Sequence, residues 1–178
     1  AELFNAGDET STMLEICLGG DSVYTKKVDI CKGEQKTLIT DIIKIDNIKL
    51  WGLDTPHLYE MSFYTDTDDL IDKIGFRSVQ IKNNTLLLNG VPLELHGVNR
   101  HEDHPDFGMA FPPLLMQRDL DIITDLGCNA VRGSHYPNAR IFLDMLDERG
   151  ILFWSEIPIW GCGFSEEALA DEKVVERG

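Results

Sequence analysis

The sequence has little positive charge and no long apolar run. It contains 16 Lys and Arg residues against 31 Asp and Glu residues, which gives a formal net charge of −15. A field of that sign repels phosphate backbones and anionic lipid surfaces, so neither nucleic acid nor a membrane is an expected partner. No window approaches the roughly 18 consecutive apolar residues of a membrane span. With 43% hydrophobic residues, the chain has the composition of a soluble globular protein, and we expect it to be cytoplasmic.

Cysteine is scarce, and its spacing is uninformative. The four cysteines contain no Cys-x-x-Cys pair; they are Cys17, Cys31, Cys128 and Cys162. Such scatter fits neither a zinc knuckle nor a disulfide scaffold, so we expect free thiols in a reducing compartment. The opening residues, AELFNAGDETS, lack the basic and apolar regions of a secretory signal. They also lack an initiator Met, and we expect the chain to be a piece of a longer protein.

Several motifs of common enzyme classes are also missing. There is no Gly-x-Gly-x-x-Gly after a predicted strand, no Gly-Lys-Ser/Thr phosphate loop and no Gly-x-Ser-x-Gly elbow. Dinucleotide, nucleoside triphosphate and serine-hydrolase chemistry therefore lack their signatures. We expect no cofactor.

The first part of the chain has the pattern of β-structure. A series of short runs rich in Val, Ile, Thr, Tyr and Phe is separated by Gly, Asp and Asn turns. The runs are MLEICLG, VYTKKVDIC, KTLITDIIKI, LYEMSFYT and DKIGFRSVQI. Their number and spacing predict an all-β sandwich of immunoglobulin size over residues 1–82, with a structural role.

Strands and helices alternate over residues 83–178. Asn89-Gly90 predicts a two-residue hairpin turn. After it come the strands LELHGVN, CNAVRGSH and ILFWSEIPIW, separated by the helices PLLMQRDLDIITDLG and ARIFLDMLDERG. Gly127 and Gly150 are placed to end these helices, and Asn138 is placed to cap the second. The alternation predicts parallel strands with right-handed crossovers, as in a doubly wound sheet or a (β/α)8 barrel.

The first of these helices is predicted to bury one side. Its apolar residues Leu115, Leu120, Ile123 and Leu126 fall on one stripe with Ile122 beside them. That stripe is expected to pack against the sheet.

Each of the three predicted parallel strands ends in polar, reactive side chains. They are Asn99, Arg100, His101 and Glu102; Arg132, Ser134, His135 and Tyr136; and Ser155 and Glu156. Because the carboxyl ends of parallel strands converge, these groups predict one shared pocket.

The residues alone leave several roles open in that pocket. His101, His104 and His135 could form a zinc site, if their geometry suited the metal. Glu156 could be a general acid, or it could be the carboxylate that holds Arg132.

Several stretches resemble glycoside hydrolase family 2, which includes β-galactosidases, β-glucuronidases and β-mannosidases. They are LWGLDTPHLYEMSF, GFRSVQI, LNGVPLELHGVNRHEDHPDFG, LLMQRDLDIITDLGCNAVRGSHYP and ILFWSEIPIWG. The resemblance implies an immunoglobulin-like domain followed by the first βα units of a TIM (β/α)8 barrel. The barrel would be truncated, because a complete one takes about 250 residues and eight strands.

The resemblance also implies roles for particular residues. His101 and His135 would hydrogen-bond sugar hydroxyls, Arg132 would keep the nucleophile carboxylate ionised, and Glu102 and Glu156 would be supporting carboxylates. Both catalytic carboxylates of a retaining glycosidase would lie on later strands, so none of these residues is assigned as catalytic and the chain alone is expected to be inactive.

The implied substrate is a small glycoside or oligosaccharide, with β-glucuronide favoured over β-galactoside. Trp160 and Cys162 stand where metal-dependent members carry magnesium ligands, which implies no metal. The full-length parent is expected to be a homo-oligomer. The alternative is a non-catalytic carbohydrate-binding or scaffold module.

Overall fold

The computed structural model describes residues 1–8, 10–40 and 42–158. The chain divides into two compact units. The first comprises Ala1–Trp51 and His57–Phe76, and the second comprises Gly52–Pro56 and Arg77–Gly178. Taken together, the described parts of the two units contain more strand residues than helical ones. No helix in those parts is long and apolar enough to cross a membrane.

The first unit is built from antiparallel strands. In its described residues these are β1 (Glu2–Phe4), β2 (Thr10–Leu18), β3 (Asp21–Ile30), β4 (Gln35–Thr37), β5 (Tyr59–Tyr64) and β6 (Asp69–Ile74). One sheet has the order β3-β2-β5-β6, and β1 pairs with β4 in a second.

The core of this unit lies on one face of the larger sheet. Leu14, Ile16 and Val28 are buried there, and Leu3 and Leu38 pack against them from β1 and from the residue after β4. Leu14 and Ile16 share a face because side chains two residues apart in a strand point the same way.

Two of the predicted strands differ from the structure. The run KTLITDIIKI is a strand only as far as Thr37, and Ile39 and Ile42 are 87% and 92% exposed. Strand preference depends on a sheet being available to cover the side chains, and these two are left uncovered. The run DKIGFRSVQI is divided between β6 and the following strand. Between them, a Cβ on Gly75 would lie 2.8 Å from the Cβ of buried Trp51.

The second unit begins with three short antiparallel strands. They are β7 (Val79–Lys82), β8 (Thr85–Leu88) and β9 (Val91–Pro92). Asn83 and Asn84 have positive φ values of 51° and 58°, as do Asn89 and Gly90 at 53° and 81°. Two successive positive φ values are the mark of a type I′ hairpin turn. The predicted turn at Asn89-Gly90 is confirmed.

Parallel strands and helices alternate over the described residues that follow in the second unit. The elements are β10 (Gly97–Arg100), α1 (Pro113–Asp125), β11 (Ala130–Gly133), α2 (Arg140–Arg149) and β12 (Leu152–Trp154). The sheet order is β10-β11-β12 with parallel pairing, as predicted. The register aligns Asn99 with Arg132 and Arg132 with Trp154.

The helices cover one face of this sheet. The buried residues of this core are Phe111, Met116, Leu120, Ile123, Val131, Phe142, Leu146 and Ile151. The predicted stripe of α1 is therefore partly wrong, since Leu126 is 66% and Ile122 is 51% exposed. Met116 is buried instead, because the face of α1 that packs in the core includes Met116 rather than Leu126. Gly127 and Gly150 have φ values of 73° and 71°, so both predicted helix stops are confirmed.

The predicted cap of α2 is wrong. The N-cap position is Ala139, and it makes no side-chain cap. The Asn138 side chain instead donates to the backbone carbonyl two residues earlier, with 3.0 Å from Nδ2 to the oxygen of Tyr136. The backbone N–H of Ala139 donates to Glu102 Oε2 at 3.1 Å. A carboxylate from another loop therefore accepts the backbone N–H of the N-cap residue.

Candidate functional site

Arg132 and Glu156 form a two-point ion pair at the carboxyl ends of β11 and β12. Arg132 Nε lies 2.7 Å from Glu156 Oε1, and Arg132 Nη2 lies 3.0 Å from Glu156 Oε2. Two parallel N–H to oxygen bonds fix both the distance and the plane of the pair. Among the described residues, the other guanidinium nitrogen, Nη1, makes only long contacts, at 3.4 Å to Asn99 Oδ1 and 3.5 Å to Ser134 Oγ.

His135 completes this cluster. Its Nδ1 lies 3.2 Å from Glu156 Oε2 and 3.1 Å from Arg132 Nη2. In one tautomer Nδ1 donates to the carboxylate, and in the other it accepts from the guanidinium. The His101 ring stands edge-on to the His135 ring, with 5.3 Å between the centroids. The two predicted substrate-binding histidines therefore lie side by side.

The charge of Glu156 is stabilised by its neighbours. The hydrogen bond from Arg132 is the largest cause that lowers the pKa of Glu156 below its ordinary value, and the hydrogen bond from His135 adds to it. The partial burial of the carboxylate acts in the opposite direction. The structure thus shows Glu156 paired with Arg132, which is one of the two arrangements that the sequence left open.

Glu102 is held elsewhere. Its carboxylate is 6% exposed and contacts the Arg100 guanidinium, at 3.9 Å from Oε1 to Nη1, as well as the N–H of Ala139. It was expected to stand with Arg132, but successive side chains of β10 point to opposite faces. Asn99 shares a face with Arg132, whereas Arg100 turns toward the helices and Glu102 follows it.

His104 stabilises a local turn. Its Nδ1 accepts the N–H of Asp106 at 3.1 Å, and its backbone pairs with Gly108. Its ring lies against Phe107 and Phe111. Among the described residues, which are 1–8, 10–40 and 42–158, no three His, Cys, Asp or Glu side chains are grouped to hold a metal ion. Trp160 and Cys162 lie outside the described residues.

Comparison with known proteins identifies the family. Residues 79–176, more than half of the chain, match the TIM barrel domain of glycosyl hydrolases family 2. The chain belongs to that family. The resemblance drawn from the sequence is thereby confirmed.

Curated relatives of this family 2 chain include two β-galactosidases. That of Thermoanaerobacterium thermosulfurigenes is 40% identical over 147 residues, which cover 79% of this chain and 20% of that protein. That of Thermoanaerobacter pseudethanolicus is 38% identical over 165 residues, which cover 87% of this chain and 22% of that protein. The chain thus spans about one fifth of the length of these relatives.

Solved structures of the family are also similar. A β-galacturonidase of Eisenbergiella tayi bound to galacturonate is 35% identical with a TM-score of 0.86, covering 97% of this chain and 31% of that chain. A β-glucuronidase of Parabacteroides merdae is 30% identical with a TM-score of 0.78, covering 97% of this chain and 22% of that chain.

Sequence reasoning located most of this family 2 cluster and missed its buried side. The strand-end rule found His101, His135, Arg132 and Glu156, which the structure brings together. It did not separate Arg100 from that group. The alternation of side chains along β10 was the available signal, since it sends Asn99 and Arg100 in opposite directions.

Proposed function

We propose that the chain is part of a retaining β-glycosidase that hydrolyses terminal β-linked sugars. Residues 83–178 would supply the first βα units of its TIM barrel, and residues 1–82 would form an immunoglobulin-like domain. The observation that carries the proposal is the cluster of Arg132, Glu156 and His135 at the carboxyl ends of parallel strands, where barrel enzymes keep their active sites.

Arg132 is the central residue of the proposed mechanism. Glu156 accepts from its Nε and Nη2, while the contacts of Nη1 within the described part of the chain are the long ones with Asn99 and Ser134. That edge has capacity for one more acceptor, and its positive charge favours the ionised form of an incoming carboxylate. A retaining glycosidase needs an ionised nucleophile about 5 Å from its acid/base carboxyl. Later strands of the barrel would supply both groups, so this chain alone would be inactive.

The two histidines are proposed to bind the sugar. His101 is exposed and His135 is partly buried, and their rings are packed in a T-shaped arrangement beside the guanidinium. Imidazole nitrogens hydrogen-bond hydroxyl groups, and a sugar ring presents several hydroxyls at adjacent positions. Glu156 would keep Arg132 and His135 in place without entering the reaction.

A β-glucuronide is the proposed substrate, with β-galactoside next. Similarity to a β-galacturonidase and a β-glucuronidase over 97% of this chain supports a sugar acid. The identity with β-galactosidases supports the neutral sugar.

A panel of chromogenic glycosides tests the proposal. β-Glucuronide, β-galacturonide, β-galactoside and β-mannoside substrates would be given to the 178-residue chain and to the full-length protein that carries it. We expect cleavage by the full-length protein only, fastest with the β-glucuronide. Cleavage by the chain alone would contradict the placing of the catalytic carboxylates. Sugar binding without cleavage by the full-length protein would favour the non-catalytic carbohydrate-binding module.

The role of Arg132 has its own test in the full-length protein. Arg132→Ala should lower kcat by at least about tenfold, since a charge partner of the nucleophile is removed. Arg140→Ala is the control, because that side chain is 70% exposed on α2. An unchanged kcat with a raised KM would mean that Arg132 only binds the ground-state substrate.

A further inference from the structure

The side chain of Arg100 is buried between two aromatic rings. It is 6% exposed, and its Cζ lies 4.1 Å from the ring centroid of Phe142 and 4.7 Å from that of Phe111. A guanidinium over a phenyl face is attracted by the ring quadrupole, more strongly when water is excluded. Its Nε also donates to Asp119 Oδ2 on α1 at 2.9 Å. The end of β10 is therefore held by both α1 and α2.

Glu102 lies beside this cation and connects it to the next loop. Its Oε1 is 3.9 Å from Arg100 Nη1, and its Oε2 accepts the N–H of Ala139 at the start of α2. Its own backbone N–H donates to the Tyr136 hydroxyl at 2.8 Å. Glu102 thus joins the loop after β10 to the loop after β11 at two points.

Stability alone is a poor account of this ion pair. Within the described residues, Arg100 Nη1, Arg100 Nη2 and Glu102 Oε1 are buried and have no hydrogen-bond partner. The free-energy cost of removing two incompletely hydrogen-bonded charges from water is about as large as the free energy that their attraction contributes. What the pair does achieve is a fixed geometry between two loops.

Both loops carry a histidine of the cluster. His101 lies between Arg100 and Glu102 in the chain, and His135 directly precedes Tyr136. The ring of Tyr136, whose hydroxyl receives the Glu102 N–H, is also 6.4 Å from the ring of His101. Moving Arg100, Glu102 or Tyr136 would therefore change the 5.3 Å separation of the two imidazole rings.

We propose that Arg100, Glu102 and Tyr136 are positioning residues that set the spacing of His101 and His135. The importance of this spacing for catalysis rests on the proposed function, in which the same two histidines bind the sugar. Arg100 acts from the helix side of the sheet, and Tyr136 transmits its position to the second loop. The hydroxyl of Tyr136 is needed as a hydrogen-bond acceptor, so its loss should loosen the contact between the loops.

The test is the imidazole ¹⁵N spectrum of the 178-residue chain. Tyr136→Phe removes only the hydroxyl, and Arg100→Lys keeps the charge but removes the planar group between the rings. We expect both variants to shift the His101 and His135 signals by more than a linewidth. Tyr64→Phe and Arg140→Lys are matched controls, since Tyr64 lies in the first unit and Arg140 is exposed on α2. The controls should leave both signals unchanged.

Unchanged histidine signals in a folded Tyr136→Phe or Arg100→Lys chain would overturn the proposal. If Arg100→Lys does not fold, Tyr136→Phe decides alone, because the removal of a single hydroxyl is a much smaller change. The spectrum needs neither sugar nor turnover. A full-length protein that cleaves no glycoside would therefore end the proposed function while the positioning result stood by itself.

Discussion

At the residue scale, the Arg132–Glu156 pair determines the electrostatics of the cluster. The two hydrogen bonds hold the carboxylate in its charged form, so the pair behaves as one fixed dipole next to His135. The strand-end pattern was enough to predict that these residues meet. It could not predict which oxygen faces which nitrogen, because that depends on the register between β11 and β12.

The lowered pKa of Glu156 predicts a specific dependence of stability on pH. A carboxylate whose pKa falls on folding stabilises the folded chain above its ordinary pKa of 4.5 and loses that contribution as pH falls through the lowered value. Glu156→Gln should therefore be less stable than the wild-type chain at pH 7, and the gap should narrow below pH 4.5. Urea midpoints at a series of pH values measure it. A gap that widened in acid would contradict the assignment.

Gly133 is a residue whose missing side chain is required. A Cβ there would collide with Cζ of the Phe153 ring and lie 3.0 Å from Asn138 Nδ2. We expect Gly133→Ala to lower the free energy of unfolding by about 1–3 kcal/mol, the usual cost of overpacking. Gly52→Ala is the control, because its Cβ would meet nothing closer than Thr55 Oγ1 at 3.7 Å. Equal urea midpoints for the two variants would show that Phe153 moves aside freely.

At the scale of elements, the parallel strands and helices of the second unit were more predictable than the antiparallel strands of the first unit. The position and type of α1 and β11 followed from the sequence, although Ile122 and Leu126 of the predicted α1 stripe are exposed. The run KTLITDIIKI has equally strong strand preference, yet most of its described part is not strand, because no sheet covers Ile39 and Ile42. The cap of α2 was missed for a related reason. The N–H of its N-cap residue, Ala139, donates to Glu102, which is 37 residues away in the chain.

The packing of α1 gives a prediction with an internal control. Leu120 is fully buried, whereas Leu114 on the same helix is 76% exposed. Leu120→Ala should cost about 2–5 kcal/mol of unfolding free energy, from lost transfer energy and the cavity left behind. Leu114→Ala should change it by less than about 0.5 kcal/mol. Chemical denaturation of both variants measures the difference, and similar losses would mean that the described face of α1 is not the packed one.

At the scale of the whole molecule, charge is the dominant property. A net charge of −15 gives rise to electrostatic repulsion between copies of the chain at neutral pH. Several large apolar side chains are nevertheless exposed, among them Ile39, Ile42, Leu114 and Leu126. Electrostatic repulsion therefore opposes the association of copies of the chain through these exposed side chains.

Self-association should therefore depend on pH. The sequence pI is about 4.5, and repulsion vanishes where the net charge is zero. We expect light scattering by the chain to rise as the pH is lowered from 7 and to be greatest near pH 4.5. Added salt should raise scattering at pH 7, because it screens the same charges. Scattering that was greatest at pH 7 and low salt would show that charge does not control association.

The order of the parallel strands has a consequence for how the protein is made. In the sheet β10-β11-β12, each strand pairs with the one synthesised just before it, Gly97 with Ala130 and Ala130 with Leu152. Such short separations along the chain keep the entropy cost of closing each loop low. When β11 or β12 emerges from the ribosome, the strand with which it pairs has already been synthesised. This part of the fold can therefore be assembled in the order in which it is translated.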